Sequence, residues 1–237
     1  MPRASFTSTD NRQIELEYDH FGNPTDPALL LIMGFTAQMV AWDEEFCTQL
    51  ADRGHFVIRF DNRDCGLSTK LHGVPSNSDA VIMAAMMETE MPPVPYTLSD
   101  MAADAMKVLD HLNIERAHIM GASMGGMIAQ VVAAEYPQHT RSLISIMSST
   151  GARHLPWPTQ RAEGNLRDLA EGDAAAERDA MMRARGFYPE SMPRQLMAVF
   201  KSGDRSEDVA SIQASTLVMH GVDDTLVPPP HGVHTAE

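Results

Sequence analysis

The residues best suited to chemistry are Gly121-Ala122-Ser123-Met124-Gly125, a Gly-x-Ser-x-Gly sequence. A serine hydroxyl is a weak nucleophile until it is exposed, oriented and paired with a base. Here a short apolar run, Ala117–Met120, leads in, and a helical pattern, Met124–Glu135, leads out. A strand, a sharp turn and a helix in that order form a nucleophile elbow. The turn strains the Ser123 backbone and lifts its Oγ above the sheet. There the helix N-terminus, with its unpaired N–H groups, favours developing negative charge. Gly121 and Gly125 leave room for backbone that a Cβ would obstruct. Met33-Gly34-Phe35 ends another apolar run. The N–H groups of Phe35 and Met124 are therefore the expected pair of oxyanion donors. Asp224, in the segment His220-Gly221-Val222-Asp223-Asp224 after the last apolar run, is the expected acid that orients an imidazole. Asp223 is read as an exposed neighbour. The polar stretch Arg59–Ser68 is expected to tie down the loop beside the site, with Cys65 structural.

These residues need a scaffold, and the hydrophobic pattern supplies one. Arg3–Ser8 and Gln13–Phe21 alternate apolar and polar around a Thr9–Arg12 turn, the mark of an edge hairpin. Continuous apolar runs at Ala28–Met33, Phe56–Phe60, Ala117–Met120, Ser142–Met147 and Thr216–Met219 read as strands buried on both faces. Helical patterns lie between them at Trp42–Asp52, Leu98–Leu112 and Met124–Glu135, and Thr97 with Asp100 forms a capping box. Alternating strands and helices predict an α/β fold with a mostly parallel sheet covered on both faces, and ligands at the C-terminal strand ends. Residues 1–150 would form the first part of the core and 211–237 the return to it. Residues 151–210, polar and without a strand run, would form a short helical lid with pieces near Gln160–Ala170, Ala174–Arg183 and Ser191–Lys201.

Composition narrows the function. The 237 residues carry a formal charge of −14, which argues against nucleic acid or an anionic membrane as partner. Two cysteines, Cys47 and Cys65, make neither a disulfide framework nor a metal-ligand spacing. No membrane-length apolar run and no signal-peptide pattern is present, so a cytoplasmic location is expected. Met33, Met39, Met124 and Met127, with Met83, Met86 and Met87 nearby in sequence, suit a small to medium apolar ester.

Together the elbow, the segment Tyr96–Ala105 and the Asp224 loop resemble the α/β-hydrolase family, across residues of about 10–150 and 211–235. Among its subgroups the chain is most similar to bacterial esterases like aclacinomycin methylesterase, which carry Met-Gly at the oxyanion turn. The resemblance implies a serine carboxylic-ester hydrolase with no metal or organic cofactor. Ser123 would be the nucleophile, Asp224 the triad acid, and Phe35 and Met124 the oxyanion donors. The alternative is a hydrolase-fold protein that only binds small molecules. One departure matters. The family's histidine follows one more helix and strand after the acid, roughly 20 residues at least, and 13 residues follow Asp224 here. The last strand and helix are thus expected to be missing, leaving Thr216–Met219 as a bare edge prone to self-association, a route to a homo-oligomer. His220, His231 and His234 are the substitutes to weigh as base, and His118 reads as a packed core histidine.

Overall fold

The computed structural model describes residues 2–157 and 180–237. The expected lid pieces Gln160–Ala170 and most of Ala174–Arg183 lie outside the described residues. The N-terminal hairpin forms as the alternation requires: β1 (Arg3–Thr7) pairs antiparallel with β2 (Gln13–Phe21). The apolar runs become β3 (Ala28–Ile32), β4 (Phe56–Phe60), β5 (Ala117–Ala122), β6 (Thr140–Ile146) and β7 (Ser215–Met219). They join in one seven-stranded sheet, ordered β1-β2-β4-β3-β5-β6-β7 and parallel from β4 to β7.

Helices α1 (Glu44–Ala51), α2 (Ser78–Met87), α3 (Leu98–His111) and α4 (Met124–Glu135) connect the first six strands. The α3 capping box is complete, with Thr97 and Asp100 bonding each other's backbone N–H. The core divides across the sheet. One side gathers Leu30, Ile32, Ile58, Phe60, Ile119 and the inner faces of α3 and α4; the other gathers Leu29, Leu31, Val57 and Met120 against Trp42 and Cys47. Central strands β3 and β4 are buried at every residue, which explains their unbroken apolar runs.

Strand β7 departs from expectation. Its apolar run reads as a strand buried on both faces, yet four of its five residues are exposed, Leu217 to 53% and Met219 to 48%. It pairs with β6 on one side and no described strand pairs with the other, so apolar pattern alone does not bury it. Between β6 and β7 the chain makes helices at Met192–Ser202, Ser206–Ala210 and over 180–184. The two ends of this insertion meet at the sheet. The Arg205 N–H donates to Thr150 O at 2.8 Å, its guanidinium donates to Ser149 O at 2.7 Å, and a Cβ on Gly151 would lie 2.3 Å from Gly203 O. After the Asp224 loop comes a last described helix, Pro230–Ala236.

Candidate active site

Strand β5 delivers Ser123 to the sheet's C-terminal edge, and α4 starts at the next residue. Ser123 holds φ 55° and ψ −123°, a conformation that side-chain-bearing residues rarely adopt and that costs of order 1–3 kcal/mol. The surrounding backbone enforces it. A Cβ on Gly121 would sit 2.0 Å from Gly125 O, and one on Gly125 would sit 2.1 Å from Ile32 O. The Ser123 N–H donates to Ile146 O at 2.9 Å, and Ser123 O accepts from the Gly126 and Met127 N–H groups and the Ser148 hydroxyl. The Ser123 hydroxyl is partly exposed, and no described residue is hydrogen-bonded to it.

The turn after β3 packs directly on the elbow. A Cβ on Gly34 would lie 2.9 Å from Ala122 O, 3.0 Å from Ser123 Cβ and 3.5 Å from Met124 N. Among the described residues the amides of Phe35 and Met124 have no backbone partner, while the neighbouring Thr36 amide is taken by Gln195 at 2.7 Å. The two amides expected as oxyanion donors are thus without a hydrogen-bond partner among the described residues.

The polar stretch after β4 does tie down this turn. Asn62 Nδ2 donates to Met33 O at 2.9 Å, Asp61 Oδ1 accepts from Met39 N at 2.7 Å, and Cys65 Sγ–H donates to Ala37 O at 3.2 Å. Cys65 is no nucleophile: burial pushes its thiol pKa far up. Two fully buried arginine–aspartate pairs, Arg63–Asp104 and Arg194–Asp64, and two partly buried ones, Arg59–Asp19 and Arg185–Asp61, brace the region. Burial raises the pKa values of the Asp61 and Asp104 carboxyls despite the opposing pull of Arg185 and Arg63. Pairing of that quality is what keeps buried charges tolerable.

Asp224 stands at the C-terminal side of β7, largely buried, whereas Asp223 is exposed. Its Oδ1 accepts from the Leu226 and Val227 N–H groups, both at 2.9 Å, and its Oδ2 lies 3.7 Å from His220 Nε2. His220 Nε2 donates to Val227 O at 2.6 Å, and its Nδ1 is buried with no partner among the described residues. His231 and His234 sit in the last helix, as their position predicts. Both His231 nitrogens are engaged, Nδ1 with the Ser149 hydroxyl at 2.7 Å and Nε2 with Pro156 O at 2.8 Å. His234 Nδ1 contacts the Thr150 hydroxyl at 3.1 Å. His118 is only partly buried and bonds Ser142, rather than being a packed core histidine; burial, then the nearby His55, lowers its pKa.

Two site features were not anticipated from residue type or spacing. Met83, Met86 and Met87, read as apolar residues near the site region in sequence, are more than half exposed on α2, because Val81 and Ala84 take its inward face. Gln195 and Arg185 reach the turn after β3 from the insertion, Gln195 at the Thr36 amide and Arg185 at Gln38, itself a buried residue of that turn. No local signal marks them, since their partners are over 100 residues away.

The chain is similar to known proteins. Over its whole length the chain is 26% identical to rhodomycin D methylesterase DnrP of Streptomyces peucetius, covering 87% of that protein. A 26% likeness to 3-oxoadipate enol-lactonase 2 of Acinetobacter baylyi spans 80% of the chain and 56% of that enzyme. Among solved structures, 2-hydroxy-6-oxo-6-phenylhexa-2,4-dienoate hydrolase of Rhodococcus sp. strain RHA1 superimposes over 99% of the chain and 85% of its own, with TM-score 0.74 and 17% identity, a likeness of fold alone. The family model described as alpha/beta hydrolase fold matches residues 27–180. With the elbow after β5 and the strand order already described, the chain belongs to the α/β-hydrolase family.

Proposed function

We propose that this chain is a carboxylic-ester hydrolase that works through a serine acyl-enzyme on a small to medium apolar ester. The observation that carries the reading is Ser123 itself, held at positive φ at the head of α4, with its hydroxyl and the two amides of Phe35 and Met124 unpartnered among the described residues. Ser123 Oγ attacks the ester carbonyl and its proton passes to a base. The N–H groups of Phe35 and Met124 hold the oxyanion. The alcohol leaves with a proton, and water then releases the acid from the acyl-enzyme. Asp224 is the triad acid. Its Oδ1 is fixed by two amides, and its Oδ2 keeps acceptor capacity for an imidazole N–H. The likeness to a methylesterase over the full chain supports ester chemistry. No cofactor enters this scheme.

A second reading has its own observation. Among the described residues no histidine bonds the Ser123 hydroxyl, and His220 and His231 are committed to other partners. A hydrolase-fold protein that binds small molecules without turning them over fits that arrangement. Labelling the purified chain with a fluorophosphonate, followed by intact mass and peptide mapping, decides between them. Modification of Ser123 that disappears in Ser123→Ala supports the hydrolase. A folded wild-type chain that stays unlabelled supports the binding protein.

A further inference from the structure

The amide of Phe35 is useful only if its peptide plane points at the reacting carbonyl. Three consecutive planes matter here. The Met33–Gly34 plane is held from upstream, where Asn62 Nδ2 donates to Met33 O. The Phe35–Thr36 plane is held from downstream, where the Thr36 N–H donates to Gln195 Oε1 at 2.7 Å. The Gly34–Phe35 plane, which carries the Phe35 N–H, lies between these two clamps, and its Gly34 O accepts a longer bond from the Ala37 N–H at 3.2 Å. That turn depends on Thr36, which sits at φ 58°, a conformation a β-branched residue does not keep unaided.

Gln195 comes from the helix Met192–Ser202, 159 residues along the chain from Thr36, and its side chain is fully buried. Its Nε2 has no partner among the described residues. A methionine or leucine would fill the same space without stranding a buried donor, so packing alone does not account for glutamine here. The same insertion grips the next residues: Gln38 Nε2 donates to Met182 O at 2.7 Å, and Arg185 donates to Gln38 Oε1 at 3.1 Å.

We propose that Gln195 is a positioning residue that aims the Phe35 N–H by clamping the Thr36 peptide from the insertion. The proposal rests on the ester-hydrolase reading, and its test separates the two. Gln195→Met removes the acceptor at nearly equal volume, and Gln195→Glu keeps an acceptor oxygen. Hydrolysis of a p-nitrophenyl ester, fluorophosphonate labelling of Ser123, and hydrogen exchange at the Thr36 amide are followed in each folded protein. In Gln195→Met, kcat and the labelling rate fall about 10–100-fold with KM held within about twofold, and Thr36 exchange accelerates at least about tenfold. Gln195→Glu recovers most of the loss. Should Gln195→Met fail to fold, Gln195→Asn withdraws the amide by one methylene and serves the same comparison. Unchanged kcat and labelling, or a loss carried wholly by KM, overturns the proposal. A wild-type Thr36 amide that exchanges freely in an active enzyme overturns the clamp alone. A protected amide in a wild type that neither labels nor hydrolyses overturns the ester-hydrolase reading and the catalytic role of Gln195 with it.

Discussion

Ser123 keeps its conformation because glycines surround it, so the first predictions concern them. In Gly125→Ala the new methyl meets the Ile32 carbonyl, and in Gly121→Ala it meets the Gly125 carbonyl, both backbone atoms that cannot rotate away. Each variant should lose at least about 1–3 kcal/mol of stability, measured by urea denaturation, as overpacking does. Histidine chemistry is also decided residue by residue. Both ring nitrogens of His231 are occupied by other partners. A general base contributes about 10²–10⁴-fold, and His231→Ala should show no loss of that order in Ser123 labelling. A loss of that size would identify His231 as the base and require its two bonds to break first.

Helix α3 allows a pH test. Burial alone would raise the Asp100 pKa, but hydrogen bonds from the Thr9 hydroxyl and from the Thr97 amide and hydroxyl outweigh it and lower it. A depressed carboxylate stabilises the fold above its unfolded pKa near 3.9, and that stability is lost as pH falls through the lower folded value. Asp100→Asn should therefore cost about 0.5–2 kcal/mol at pH 7, and the gap should narrow as pH falls through the depressed folded pKa. Elements like this one were legible in the sequence because their signals are local: the Thr97–Asp100 spacing, the unbroken runs of β3 and β4, the glycines around Ser123. What escaped has partners far away. Nothing near Gln195 announces Thr36, nothing near His231 announces Ser149, and the run of β7 looks like that of β4 although their neighbours differ. Periodicity reports what a segment prefers to bury and not what arrives to cover it.

At the scale of the molecule, β7 is the weak margin. An exposed apolar edge strand invites pairing with another chain. Sedimentation velocity should show association that grows with concentration. Leu217→Lys, which places a charge on an exposed face of β7, should shift the distribution toward monomer. A sharp monomer at all concentrations in the parent chain would rule this association out. The joined stalks of the insertion have a different consequence. Because Ser149–Gly151 and Gly203–Arg205 already touch, the sheet does not register how much chain lies between them. Doubling the length of such a loop costs only about 0.6 kcal/mol of closure entropy. The insertion is in effect a cassette mounted on a fixed socket, able to gain or lose chain away from Gln195, Arg185 and Arg194 without disturbing the join at the sheet.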